Sequence, residues 1–308
     1  MSDFMRYFTH LGDGPVSLAI IAVVYWCWDR DIALRLGVLL MCGAILNGLL
    51  KLGFADPRPA WSLVEPKSYQ MWHSFGMPSG HAQSATIWLL VPLKSRSARG
   101  VGIAILYALF MGYSRVAIDA HSWLQVVMGW TVGICLVFAF RWFEDLNHIR
   151  WRSLPWSTFL ILATVVCFGT LGVAASTIEA IPAEKMAAWH NFVERHALQA
   201  RQSPASLNTV STPLAALLGL LVGGMVDRVH TEAHMTRLQK AKRVCMGGIV
   251  LGLVYVITRY GVALLDPEGA RLVARAAGAA LLGALISGVL PALFRRRERA
   301  SLGPSQSM

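Results

Sequence analysis

Along the chain, long apolar runs alternate with short polar ones. The runs cover roughly Val16–Trp28, Leu36–Leu50, Ser79–Leu93, Val101–Tyr113, Ser122–Phe140, Trp156–Ala175, Pro213–Val226, Val244–Leu265 and Ala276–Phe294, which predicts nine membrane-spanning helices. Several are shorter than a full crossing. A helix over Ser79–Leu93 would be about 22 Å long at about 1.5 Å per residue, against a hydrocarbon core of roughly 30 Å. The same holds for Val101–Tyr113. Two readings follow: a polar pocket sunk into one leaflet, or helical structure that continues past these limits.

Composition agrees with this pattern. Of 308 residues, 55% are hydrophobic and 15% charged, and the mean hydropathy is +0.51, too apolar for a soluble domain of this length. The expected class is an all-α integral membrane protein. The net charge of +11 sits largely in short loops, so it reads as a topology signal and no nucleic-acid partner is expected. Lys94, Arg96 and Arg99 follow the third run, and Arg141, Arg150 and Arg152 follow the fifth. Arg228, Arg237, Lys240, Lys242 and Arg243 follow the seventh, and Arg295, Arg296, Arg297 and Arg299 close the chain. With these loops cytoplasmic and nine spans, the N-terminus is outside. Lys51–Pro78, Ser114–His121 and Thr177–Thr212 then share the non-cytoplasmic side, facing the periplasm of a bacterial inner membrane, the cell exterior or a lumen. Within the first, Trp61, Tyr69 and Trp72 read as interfacial aromatics. Met1–Pro15 has no basic region typical of a cleaved leader, and Ser301–Met308 is expected to be disordered. The five cysteines lie in or beside apolar runs without metal-ligand spacing, so neither a disulfide framework nor a zinc site is implied.

Three polar stretches carry candidate chemistry. Lys51 and Arg58 supply two cationic side chains, the second with the planar fork that suits a phosphate. In Met77-Pro78-Ser79-Gly80-His81, Pro78 breaks the chain, Ser79 can cap a helix and Gly80 lets a ligand approach the backbone, while the free N–H groups favour an anion. In the third, Ser114-Arg115 precedes His121, and Gln125, four residues on, would share a helical face with it and orient its ring. Singly, each has a plainer reading as an interfacial charge or a helix start.

Taken together, Lys51-x6-Arg58-Pro59, Pro78-Ser79-Gly80-His81 and Ser114-Arg115-x5-His121 resemble the three-part signature of the type 2 phosphatidic acid phosphatase superfamily. The resemblance implies a phosphatidic acid phosphatase type 2 core over 1–150, with additional helices and a basic tail over 151–308, integrated into one domain. It implies that His121 attacks phosphorus to form a phosphohistidine and that His81 protonates the leaving oxygen. Lys51, Arg58, Arg115, Ser79 and the Gly80 backbone would hold the phosphoryl oxygens, with no metal or other cofactor.

One position departs from the family pattern: Gln125 stands where an aspartate is usual. In that respect, and in the nine spans and outside N-terminus, the chain resembles the glucose-6-phosphatase branch. The expected function is therefore hydrolysis of a lipid phosphate or diphosphate. A soluble sugar phosphate and a non-catalytic phosphate-binding protein are the alternatives, and membrane lipids are the expected surroundings. Oligomeric state is not legible. Of the other histidines, His230 and His234 lie on a solvated basic loop, and His190 and His196 lie in a segment that could reach the outer mouth of the site. Asp119 either pairs with Arg115 or faces water.

Overall fold

The computed structural model describes residues 2–67, 73–147, 154–196, 203–227 and 235–301. Among these, the regular elements are helical: α1 (Ser2–Thr9), α2 (Gly14–Cys27), α3 (Arg30–Phe54), α4 (Gly80–Ile87), α5 (Leu90–Lys94), α6 (Ala98–Ala117), α7 (Trp123–Asn147), α8 (Trp156–Glu179), α9 (Ala183–Arg195), α10 (Asn208–Val226), α11 (Arg237–Gly261), α12 (Glu268–Ala284) and α13 (Leu290–Ser301). Seven helices among the described residues are long and apolar enough to cross a membrane. An eighth is added if the pair bent by 54° at Asp13, α1 and α2, counts as one span. The protein is thus an all-α, multi-pass integral membrane protein. In the apolar stretches of α8 and α11 only 11% of residues are buried, so these helices present apolar side chains almost all round, as lipid-facing helices do.

The difference from nine spans lies in Ser79–Leu93, which is two short helices. Pro92 has no N–H to donate to the Trp88 carbonyl, which instead accepts a tighter bond from the Val91 N–H at 3.3 Å. Val101–Tyr113 differs in the other direction. Helical structure continues at both ends to make the 20-residue α6, about 30 Å at about 1.5 Å per residue, and it carries Ser114 and Arg115 within its last turn.

The chain divides into two compact units. Met1–Ser17, Leu39–Ile149 and Ile161–Ser211 form the first, which contains every residue of the three-part pattern. At its centre α4 packs between α7 and α6. A Cβ at Gly129 of α7 would lie 2.5 Å from the Ser79 carbonyl oxygen, so glycine is what allows α7 to press against the start of α4. On the other side, α9 packs on the 3-10 turn Pro59–Ser62. Trp61 is 1% exposed and clusters with Phe75, Trp189 and Phe192. It is a core residue, which corrects the interfacial reading: the turn folds inward because α9 supplies the apolar cover.

Leu18–Val38, Arg150–Leu160 and Thr212–Met308 form the second unit. Here Asp227 accepts from both Arg30 and Arg295, and Arg243 pairs with Glu298 through two bonds of 2.9 and 2.7 Å. A π-helical turn at Leu285–Val289 loosens the ladder. The Tyr25 hydroxyl donates to the Ser287 carbonyl at 2.7 Å and the Trp26 indole to the Ile286 carbonyl at 2.9 Å.

Tyr69, Trp72, Arg150, Arg152, Arg228, His230 and His234 lie outside the described residues, as does 302–308 of the tail; Ser301 itself ends α13.

Candidate active site

His121 sits in the turn between α6 and α7. That turn is closed by the Arg115 carbonyl, which accepts from Ala120 and His121 N–H at 3.0 and 3.1 Å, and it passes through Asp119 at φ +60, a left-handed conformation that aspartate tolerates. The Asp119 carbonyl accepts from the Ala60 N–H at 3.2 Å, and its carboxylate from both the backbone and Nζ of Lys67 at 3.2 Å. Asp119 therefore ties the turn to the loop that carries Arg58.

The imidazole is held at both nitrogens. Its Nδ1–H donates to Gln125 Oε1 at 3.0 Å. The same oxygen accepts from the Ser122 N–H at 3.2 Å, which identifies it as the carbonyl end of the amide. The amide nitrogen donates to Asp56 Oδ2 at 2.5 Å and to the Pro57 carbonyl at 2.9 Å. With Nδ1 protonated, Nε2 carries the lone pair, 3.0 Å from Arg58 Nη1. The expected His121–Gln125 bond is present, although α7 begins only at Trp123, so the turn and not a shared helical face makes it.

Arg58 is fixed across its whole fork. Nε donates to the Ser74 carbonyl at 2.6 Å, Nη2 to Ser74 Oγ at 2.7 Å and Nη1 to the Ala120 carbonyl at 3.0 Å. On α3, the Lys51 ammonium donates to the Phe75 carbonyl. Arg115, fully buried, donates to the Thr9 hydroxyl. Burial holds the His121 imidazole well below the usual histidine range, and the charges of Arg58, Lys51, Arg115 and His81 push it the same way. Burial and charge thus both favour the neutral imidazole, with its lone pair beside buried cations.

Ser79 occupies the cap position of α4 without capping it. Its Oγ is buried and has no hydrogen-bond partner, while its N–H donates to the Gln125 carbonyl at 2.9 Å. This bond ties the start of α4 to the first turn of α7. Gly80 begins α4 beside Asn47, whose amide donates to the Pro78 carbonyl at 3.2 Å and to Gln83 Oε1 at 2.8 Å. His81 Nε2 lies 3.0 Å from Asp13 Oδ1. A buried cation set, a helix start and an orphaned hydroxyl suit an anion with several oxygens.

The structure thus brings Lys51, Arg58, Arg115, His81 and His121 within electrostatic reach of one another, with Ser79, Gly80 and Gln125 beside them. His190 and His196 have partners elsewhere: His190 meets Trp189 edge-on with ring centroids 4.8 Å apart, and His196 Nε2 lies 3.0 Å from the Val64 carbonyl. Sequence reasoning missed Asp13, Thr9, Asn47, Asp56 and Ser74. Asp56 and Asn47, each within four positions of a signature cation, offered some signal; Thr9 and Asp13 offered none. Among the described residues, no group of three or more His, Cys, Asp or Glu side chains could hold a metal ion.

Fold and site together define a multi-pass membrane protein with a buried, cation-rich site for an oxyanion built around His121. The profile of the PAP2 superfamily matches residues 32–149, and that of the PAP2 superfamily phosphatase, transmembrane extension, matches residues 211–301. Over these two regions the chain is similar to the PAP2 superfamily. It is 31% identical over 151 residues to Dolichyldiphosphatase 1 of Dictyostelium discoideum, a match covering 44% of this chain and 62% of that protein. It is 28% identical over 164 residues to Phosphatidylglycerophosphatase B of Bacillus subtilis (strain 168), covering 47% of this chain and 76% of that protein. The chain thus spans less than two thirds of the first of these relatives. No solved structure matches.

Proposed function

We propose that the protein is a metal-independent membrane phosphatase that hydrolyses a lipid phosphate or diphosphate through a phosphohistidine, with its site on the non-cytoplasmic side. The observation that carries this reading is the His121 ring itself, its Nδ1–H on the Gln125 carbonyl oxygen and its Nε2 beside Arg58. Nε2 attacks phosphorus as the bond to the leaving oxygen breaks, and His81 gives that oxygen a proton. Water then attacks phosphorus, its proton passes to His81 and the N–P bond breaks. Lys51, Arg58 and Arg115, with Ser79 Oγ and the Gly80 N–H, hold the three phosphoryl oxygens, supplying by positioning and charge what a metal ion supplies elsewhere.

A lipid substrate is favoured by the relatives, both named for phosphorylated lipids. Gln125 is the one feature that favours a sugar phosphate, as in the glucose-6-phosphatase branch. The orientation rests on the basic loops. Counting α4 and α5 as one broken crossing, beside the seven long helices and the bent pair, supports nine spans. We assign residues 1–150 to the catalytic core and 151–308 to the extension, a division that follows the two matched regions.

The test is phosphate release by purified protein from phosphatidate, isoprenoid diphosphates, sphingoid phosphates and glucose 6-phosphate, with His121→Ala as the blank and EDTA present throughout. Release from the lipid phosphates that EDTA leaves intact and His121→Ala abolishes is expected. Release from glucose 6-phosphate alone would transfer the assignment to the sugar phosphate, and release from none would leave a binding protein.

A further inference from the structure

Asp13 belongs to none of the three signature stretches and lies outside the matched region 32–149. It sits at the elbow between α1 and α2, where its Oδ1 is 3.0 Å from His81 Nε2 and its Oδ2 is 2.8 Å from His10 Nδ1. The elbow is pressed onto the His81 ring, since a Cβ at Gly12 would lie 2.6 Å from His81 Cδ2. Thr9, on the same elbow, receives the Arg115 guanidinium. The Cδ2–Nε2 edge of the imidazole is therefore engaged by Gly12 and Asp13, which leaves Nδ1 as the nitrogen free to exchange a proton.

We propose that Asp13 is a positioning residue for His81, forming a carboxylate–imidazole pair on the leaving-group side of the site. The inference rests on the phosphatase reading above. In an in-line displacement the leaving oxygen lies opposite the nucleophile, so the group that protonates it must be held away from His121. Burial and the charges of Arg115 and Arg58 oppose positive charge on His81, and the Asp13 carboxylate hydrogen-bonded to the ring is the group that works against them. The pair places the carboxylate on the acid–base histidine, where the family pattern places one beside the nucleophile and this chain has Gln125. In the first step the His81 proton goes to the leaving oxygen as the P–O bond breaks and N–P forms. In the second a water proton returns to His81 as O–P forms and N–P breaks. Asp13 stays ionised throughout, holding the ring and its transient charge.

The experiment compares kcat/KM for a long-chain alkyl phosphate, whose leaving oxygen needs a proton, with that for 4-nitrophenyl phosphate, whose leaving group departs as a stable anion. Asp13→Asn is expected to lower kcat/KM for the alkyl phosphate by about 10²-fold and that for the aryl phosphate by no more than about 3-fold. Retained aryl phosphatase activity is the proof of folding. Asp13→Glu recovers part of the loss, and in a His81→Ala background Asp13→Asn adds nothing further. Equal losses on both substrates, no loss on either, or additive losses in the double variant would overturn the inference while leaving the phosphatase assignment standing. A wild-type protein that hydrolyses neither substrate overturns the assignment and this inference with it.

Discussion

The two histidines of the site sit in opposite surroundings. His121 is 2% exposed, with a neutral amide on one nitrogen and a guanidinium beside the other, and the nearest carboxylate in its network, Asp56, is one link out behind Gln125. The ring of His81 is 21% exposed and has a carboxylate directly against it. One ring meets a neutral amide oxygen at Nδ1 and the other a carboxylate at Nε2. A single residue type thus has two different settings because its partners differ, and Arg58 and Asp13 among them come from distant parts of the chain.

Removing His121 is the most severe way to break this asymmetry. His121→Ala is expected to abolish phosphate release in a protein that still elutes as a folded species. Residual turnover at the wild-type rate would remove the nucleophile from the scheme. Arg58→Lys comes next. It keeps the charge but loses the fork that spans Ser74, Ala120 and His121, and kcat/KM is expected to fall by about 10²- to 10³-fold. Near-wild-type kinetics would show that charge alone suffices on the His121 side.

A gentler test moves the amide without altering any charged or acid–base group. A Cβ at Gly76 would lie 2.3 Å from Gln125 Nε2, so Gly76→Ala must displace the amide that orients the ring. A loss of about 10- to 100-fold in kcat/KM is expected; unchanged kinetics would mean that ring orientation does not depend on Gln125.

The smallest effect sharpens the comparison. The proposed attack requires a neutral His121, and burial with its cationic neighbours depresses its proton affinity. Neutral imidazole is therefore complete above the ordinary histidine value and is lost only as pH falls towards the depressed one. The acidic limb of kcat/KM, corrected for substrate ionisation, should lie below pH about 6.5. Gln125→Asp puts a carboxylate beside the ring, which raises its proton affinity and should move that limb to higher pH, with turnover reduced severalfold. Collapse of activity would show that the site requires a neutral partner, consistent with Asp56 standing 2.5 Å from the amide nitrogen.

The membrane class, most span positions and the five charged or titratable side chains of the site were legible in the sequence, because apolar run length and motif spacing are local properties. The break of Ser79–Leu93 was half-legible, since Pro92 stands within it, but the extension of α6 to Ala117 was not: the polar residues Ser114 and Arg115 interrupt the apolar pattern while the backbone stays helical. Trp61 was misread for a related reason. An aromatic residue in a loop between spans looks interfacial until α9, more than a hundred residues later, folds over it.

What the sequence by itself determined is the inventory, namely a polytopic helical protein with Lys51, Arg58, His81, Arg115 and His121 in the order of a phosphate site. Only the tertiary structure decided the partners. That Gln125 hands its amide to Asp56, that Ser79 keeps an unpaired buried hydroxyl, and that Asp13 reaches His81 are contacts made across 68 or 69 residues or by the packing of α4 against α7. Such contacts depend on where whole helices come to rest, and no local periodicity records them. The charge on each histidine depends on those partners.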